Sequence, residues 1–234
     1  MEVPIIYSRS AYSIASFGAK GLVVATGGTA ELWGKLYGPS WTHLSQPVYP
    51  GSTTLTVEDT LSWTVGSKVV LASTDFSELV AYNQIAVTST LAWMRGAPSP
   101  NQNEVLTVVS IAGNTVTVAE PIKYLHWGSG YERAELGLLS RHIVVQGDNS
   151  SIASQFGGHF MMRNAQVHVS GVEFTRMGQK GVMGRYPVHF HMMDSVIGKG
   201  YFANHNSIHD NFQRCLVIHG KSPRLLKPNN FSRI

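Results

Sequence analysis

With 234 residues, 43% of them hydrophobic, the chain can form one large or two small domains, and its low charge (14%) and 23 glycines argue against a helical protein and for a turn-rich all-β one. A formal net charge of +4 without any basic run gives nucleic-acid binding little support and fits either an ordinary solvated surface or anionic partners such as acidic polysaccharides. No stretch approaches the ~18 apolar residues of a membrane span, no N-terminal segment has the layout of a signal peptide, and the single cysteine excludes an intrachain disulfide.

In chain order, Gly21–Thr26 and Ala30–Trp33 are predicted strands around a turn at Gly27-Gly28, with Leu22, Val24, Leu32 and Trp33 as core. Ser52–Val57 alternates cleanly, Trp63–Gly66 turns, and Lys68–Ala72 is a nearly continuous apolar strand expected to be buried on both faces. Leu106–Ile111 and Thr115–Ala119 form a hairpin across Gly113-Asn114. The segment 85–102 breaks this rhythm and is expected to be an insertion or a retained stretch of non-coding sequence.

From Leu136 the strands shorten: Arg141–Gln146, Gln166–Val169, Val172–Phe174, Val188–Met192, Asn206–Ile208 and Leu216–Ile218. In Val188-His-Phe-His-Met192 the apolar residues point one way and both histidines the other. Aligning His191 with His219 sets Phe190 on Ile218 and Val188 on Leu216. That is the pattern of stacked coils in a parallel β-helix, with an apolar ladder inside and a histidine ladder outside. Cys215 falls in the last of these apolar runs and is expected to act as a small buried hydrophobe.

Several stretches in order resemble the extracellular family of cell surface hyaluronidase, the cell-migration-inducing hyaluronan-binding protein and fibrocystin-L. They are Gly27–Gly34 (GGTAELWG) with Ser40–Thr42, Gly66–Phe76, Arg133–Arg141, Met177–Gln179, Gly184–His191 (GRYPVHFH), and Ser207–His209 with Ile218–Gly220. The resemblance implies an all-β chain in three parts: residues 1–44 as the end of an eight-glycine-type β domain, 45–135 as a small β-barrel or sandwich, and 136–234 as the first coils of a right-handed parallel β-helix. The chain would then be a fragment, joined to a membrane only through a segment of its parent. It implies an extracellular or cell-surface setting and, as partner, an acidic polysaccharide (hyaluronan) or an extracellular protein.

Candidate chemistry concentrates in the last part. His189, His191 and His219 can form a hydrogen-bonded ladder, supply an acid, base or sugar contact, or bind a divalent metal; no cofactor is established. Glycoside hydrolysis needs two carboxylates, and Asp194 and Asp210 are the candidates, with capping of turn amides as the alternative. Arg185, Tyr186, His209 and Arg214 are candidate ligand-binding residues, since arginine matches a sugar carboxylate and tyrosine offers a stacking face. Trp33, Trp41, Trp63 and Trp127 are either sugar platforms or core. Asn149 and Asn230 head N-glycosylation patterns. Three functions follow: a β-helix module recognising acidic glycan or a protein, a hydrolase depolymerising hyaluronan, or a structural segment of a receptor ectodomain.

Overall fold

The computed structural model describes residues 18–74, 102–193 and 201–220, with the backbones of the strands Val3–Tyr7 and Asn230–Phe231. The expected insertion at 85–102 lies, but for its last residue, outside the described residues. The chain divides into two units, one of residues 1–36 and 139–234, the other of residues 37–138. Among the described residues no helix is long and apolar enough to cross a membrane.

The first unit is a parallel β-helix. Its strands are β1 (Val3–Tyr7), β2 (Gly21–Val24) and β3 (Thr29–Trp33), then, beyond the residues of the second unit, β10 (Ile143–Gly147), β11 (His159–Arg163), β12 (Gln166–Ser170), β13 (Val172–Thr175), β14 (Val188–His191), β15 (Phe202–Asn204), β16 (Ser207–His209), β17 (Leu216–His219) and β18 (Asn230–Phe231). They form three all-parallel sheets, ordered β1-β10-β13-β16-β18, β17-β14-β11-β2 and β15-β12-β3. Each coil therefore lends one strand to each sheet, as β11, β12 and β13 do in one coil and β14, β15 and β16 in the next. The register of β14 on β17 is Val188↔Leu216, His189↔Val217, Phe190↔Ile218 and His191↔His219, as the alternation predicted.

Residues that turn the corners between these strands take a positive φ. Gly171 (φ 67°) ends β12 and His205 (φ 52°) occupies the equivalent corner one coil on. Side-chain amides staple the corners: Asn206 accepts from the Val172 N–H at 3.0 Å and donates to the Val169 carbonyl at 3.2 Å. Asn211 does the same for the Met177 N–H and the Phe174 carbonyl. Inside, Phe160, Met162, Val167, Val169, Phe174, Val188, Phe190 and Ile208 form one buried core, with Leu216 and Ile218 packed against it. Each such large side chain stabilises by roughly 1.5–3 kcal/mol through burial. Cys215 is only half-buried, but it packs on this core as expected.

The second unit is antiparallel. Strands β4 (Trp41–His43), β5 (Thr54–Thr56), β6 (Lys68–Leu71), β7 (Glu104–Ala112), β8 (Thr115–Val118) and β9 (Glu135–Leu138) run in the order β4-β9-β6-β7-β8-β5. The two edge strands meet through a bridge between Leu44 and Val57, so the sheet closes on itself around Leu44, Leu55, Val69, Leu71, Leu106, Val116 and Leu136.

Four sequence expectations differ from this architecture. Residues 18–36 do not stand apart with 37–44: β2 pairs with β11 and β3 with β12, because their apolar Val24, Ala30 and Leu32 complete the inner face of the coil stack. The change of unit at the C-terminal side falls after Leu138, since β9 pairs with β4 and β6. Leu22 and Trp33 are exposed rather than core; in β3 the alternation that turns Leu32 inward turns Trp33 outward. Strand β6 buries Val69 and Leu71 but exposes Lys68 and leaves Val70 half-buried, so only one of its faces is fully buried.

Candidate functional site: a histidine face on the β-helix

Strand β14 places its side chains by simple alternation. Val188 and Phe190 turn into the core, and His189 and His191 turn outward. One coil on, His219 lies beside His191, and one coil back Arg163 does so. The outer row is thus Arg163, His191, His219, with His189 next to it.

His189 is nonetheless 1% exposed. The chain before β14 folds over it: Gly184 (φ 79°) presents its carbonyl to Nδ1 at 3.0 Å, and the Tyr186 ring meets the imidazole edge-on at 5.0 Å. A carbonyl can only accept, so Nδ1 carries the proton and Nε2 keeps its lone pair. Nε2 is buried and has no hydrogen-bond partner among the described residues. Burial holds the His189 pKa down at about 4, helped by the neighbouring imidazoles and opposed by the Gly184 hydrogen bond. His191 is also pushed down, by burial first and then by His219 and Arg163. Its Nδ1 lies 2.7 Å from Nε2 of His219, and the three rings stand 4.5–5.1 Å apart between centroids. One nitrogen from each of the three lies within 4.8 Å of the others, so these are the residues that could hold a metal.

Other candidate residues are elsewhere. His209 ends β16, in the sheet of β13 rather than that of β14, and Asp210 follows it at the corner (φ 48°), so neither lies on the strand that carries His189 and His191. The reason is geometric: strands in different sheets of one coil face different directions. Instead His209 bridges two carboxylates, Nδ1 to Asp210 at 2.9 Å and Nε2 to Glu173 at 3.0 Å. Burial alone would lower its pKa, but these hydrogen bonds and charges outweigh it and raise the value to about 9. Glu173 also accepts the Arg141 N–H at 3.0 Å. Tyr186 is buried against His189, whereas Arg185 sits half-buried against Gly18. Arg214 is exposed at the approach to β17. Asp194 lies outside the described residues.

Asn149 precedes the short helix α1 (Ser150–Ser154) without a capping hydrogen bond and is exposed, its Oδ1 accepting from Arg176 at 2.8 Å. The side chain of Asn230 lies outside the described residues. Trp63 is core, with its indole N–H on the Pro39 carbonyl, while Trp33, Trp41 and Trp127 are exposed. Arg163 and His159 were missed in the sequence because β11 was not recognised as a strand. The signal was present: His-Phe-Met-Met-Arg carries Phe160 and Met162 in the same alternation as Val188 and Phe190. His159 lies buried across from Gly21, where any Cβ would fall 2.4 Å from the ring.

The coil stack and its outward histidines define the class: a parallel β-helix protein. Residues 155–231 match the family described as CEMIP beta-helix. A G8 domain-containing protein of Dictyostelium discoideum is 36% identical over 215 residues, 92% of this chain and 13% of that protein. Communication mutant protein F of the same organism is 33% identical over 93% of this chain and 18% of its own length. Cell surface hyaluronidase CEMIP2 of Homo sapiens is 35% identical over 73% of this chain and 12% of its own length. The chain belongs to this CEMIP and G8-domain family. It spans less than a fifth of the length of these relatives. Among solved structures, the tailspike gp61 of Pseudomonas phage phi297 aligns over 97% of this chain and 36% of that one, with 14% identity and a TM-score of 0.33.

Proposed function

We propose that the chain is an extracellular or cell-surface β-helix module that recognises an acidic polysaccharide of the hyaluronan kind. The observation that supports this reading is the row Arg163, His191, His219, which presents an exposed guanidinium and two accessible imidazoles at one-coil spacing on one face. Guanidinium and imidazole N–H groups are donors matched to uronate carboxylates and sugar hydroxyls. The name of the human relative points to the same ligand class. On an exterior protein Asn149 and Asn230 become glycan acceptors.

The word hyaluronidase in that name favours a second reading, depolymerisation of the same polymer. One experiment separates the two. The chain is incubated with labelled hyaluronan, and both retention and polymer length are followed. Binding that Arg163→Ala and His219→Ala each weaken by about 10-fold, the worth of one charged hydrogen bond, at constant polymer length, supports the recognition module. Shortening that His191→Ala abolishes supports the hydrolase. Absence of both leaves the chain a structural segment, or a module for a protein partner.

A further inference from the structure

We infer that His189, His191 and His219 form a binding site for one divalent transition-metal ion of the zinc class, with His189 as its fixed anchor. The inference goes beyond polysaccharide recognition and does not depend on it. Three observations carry it. One nitrogen from each residue already lies within 4.8 Å of the other two. The Gly184 carbonyl takes the Nδ1 proton of His189, which sets the tautomer that leaves Nε2 as a ligand; metal-bound histidines are held this way by a carbonyl or carboxylate on the other nitrogen. And that Nε2, on a residue 1% exposed, is buried with no hydrogen-bond partner among the described residues. A buried lone pair without a donor is costly unless something else satisfies it.

The fit is close. Two imidazole nitrogens on a tetrahedral zinc at ~2.0–2.1 Å stand about 3.3 Å apart. Nδ1 of His191 and Nε2 of His219 are 2.7 Å apart, sharing a proton in a hydrogen bond. Opening them by about 0.6 Å, with the shared proton passing to the other nitrogen of its own ring or to solvent, exchanges that hydrogen bond for two coordinate bonds. His219 is exposed and His191 half-buried, so both rings have room to turn, while His189 does not move. Neutral imidazoles select zinc, nickel or copper over magnesium and calcium, which prefer oxygen. Three protein ligands leave a fourth position for water or a ligand, the arrangement of open rather than closed zinc sites. The positive charge of Arg163 at the end of the row opposes the ion, but its exposure lets water screen it.

The test is direct titration of the chain, free of any histidine tag, with Zn2+ and with Co2+. One ion per chain is expected, with the visible absorption of four-coordinate cobalt. His191→Ala and His219→Ala should each weaken binding by on the order of 100-fold or more, beyond the roughly 10–100-fold that loss of an outer-shell partner costs. His168→Ala, on another sheet, should leave it unchanged. Both variants alter accessible side chains, and circular dichroism verifies their fold. Absence of a bound ion in the parent chain, or equal affinity in the His191 and His219 variants, overturns the inference.

Discussion

His191 and His219 are 28 residues apart in the chain, yet their ring nitrogens are 2.7 Å apart. The same offset aligns Phe190 with Ile218 beneath them, so the outer pair exists only because the inner ladder sets the register. Removing the inner partner should therefore cost far more than removing the outer one. Phe190→Ala, which empties a fully buried site, should destabilise the chain by about 3–5 kcal/mol, whereas His219→Ala should stay within about 0.5 kcal/mol. Urea denaturation measures both. Similar midpoints for the two variants would contradict the ladder.

Close backbone approach makes a second prediction. The Gly34 N–H donates to the Ser170 carbonyl at 2.8 Å, and a Cβ on Gly34 would fall 1.9 Å from the Gly171 carbonyl oxygen. Backbone cannot move aside as a side chain can. Gly34→Ala should cost more than about 2 kcal/mol, whereas Gly27→Ala, with open space around it and only its φ of 83° against it, should cost about 1 kcal/mol. Thermal melts of the two variants rank them.

His209 predicts a loss of stability in alkali. Its folded pKa of about 9 lies above the ordinary value of 6.5, so the folded state holds its proton more tightly than the unfolded one. The resulting stability is complete below pH 6.5 and disappears as pH rises through 9. His209→Gln should flatten the stability profile between pH 7 and 10. An unchanged slope would show that the bridge to Glu173 and Asp210 does not form.

His189 predicts the opposite limb. Its folded pKa of about 4 lies below 6.5, so the unfolded state takes up a proton first as pH falls. Stability contributed by the neutral, buried imidazole is intact above pH 6.5 and lost between 6.5 and 4. In metal-free buffer, His189→Gln should remove that part of the acid sensitivity, as followed by fluorescence-detected unfolding from pH 7 to 4.

The strand register of the β-helix was legible because alternation has a period of two and a histidine pair is easy to see against valine and phenylalanine. Val188, Phe190, Leu216 and Ile218 were placed inside on that ground, and the coil stack puts them there. Alternation could not show that His189, though on the outer face, is covered: that depends on the turn at Gly184 and on Tyr186 lying across the ring. Nor could it join Glu173 to His209, 36 residues apart, because their contact follows from which coil stacks on which. Trp33 illustrates the converse, an aromatic assigned to the core by its type and turned outward by its position in β3.

The order of residues along each strand thus determined which side chains face the interior and which face out, since that depends only on backbone pleating. Aligning the two matching strands also paired His191 with His219, but that Arg163 joins their row and that His189 is covered was decided by tertiary structure. Arg163, His191 and His219 form one row because three coils of different sequence stack in one register, and the stacking is fixed by the apolar side chains on the inner face of the same strands.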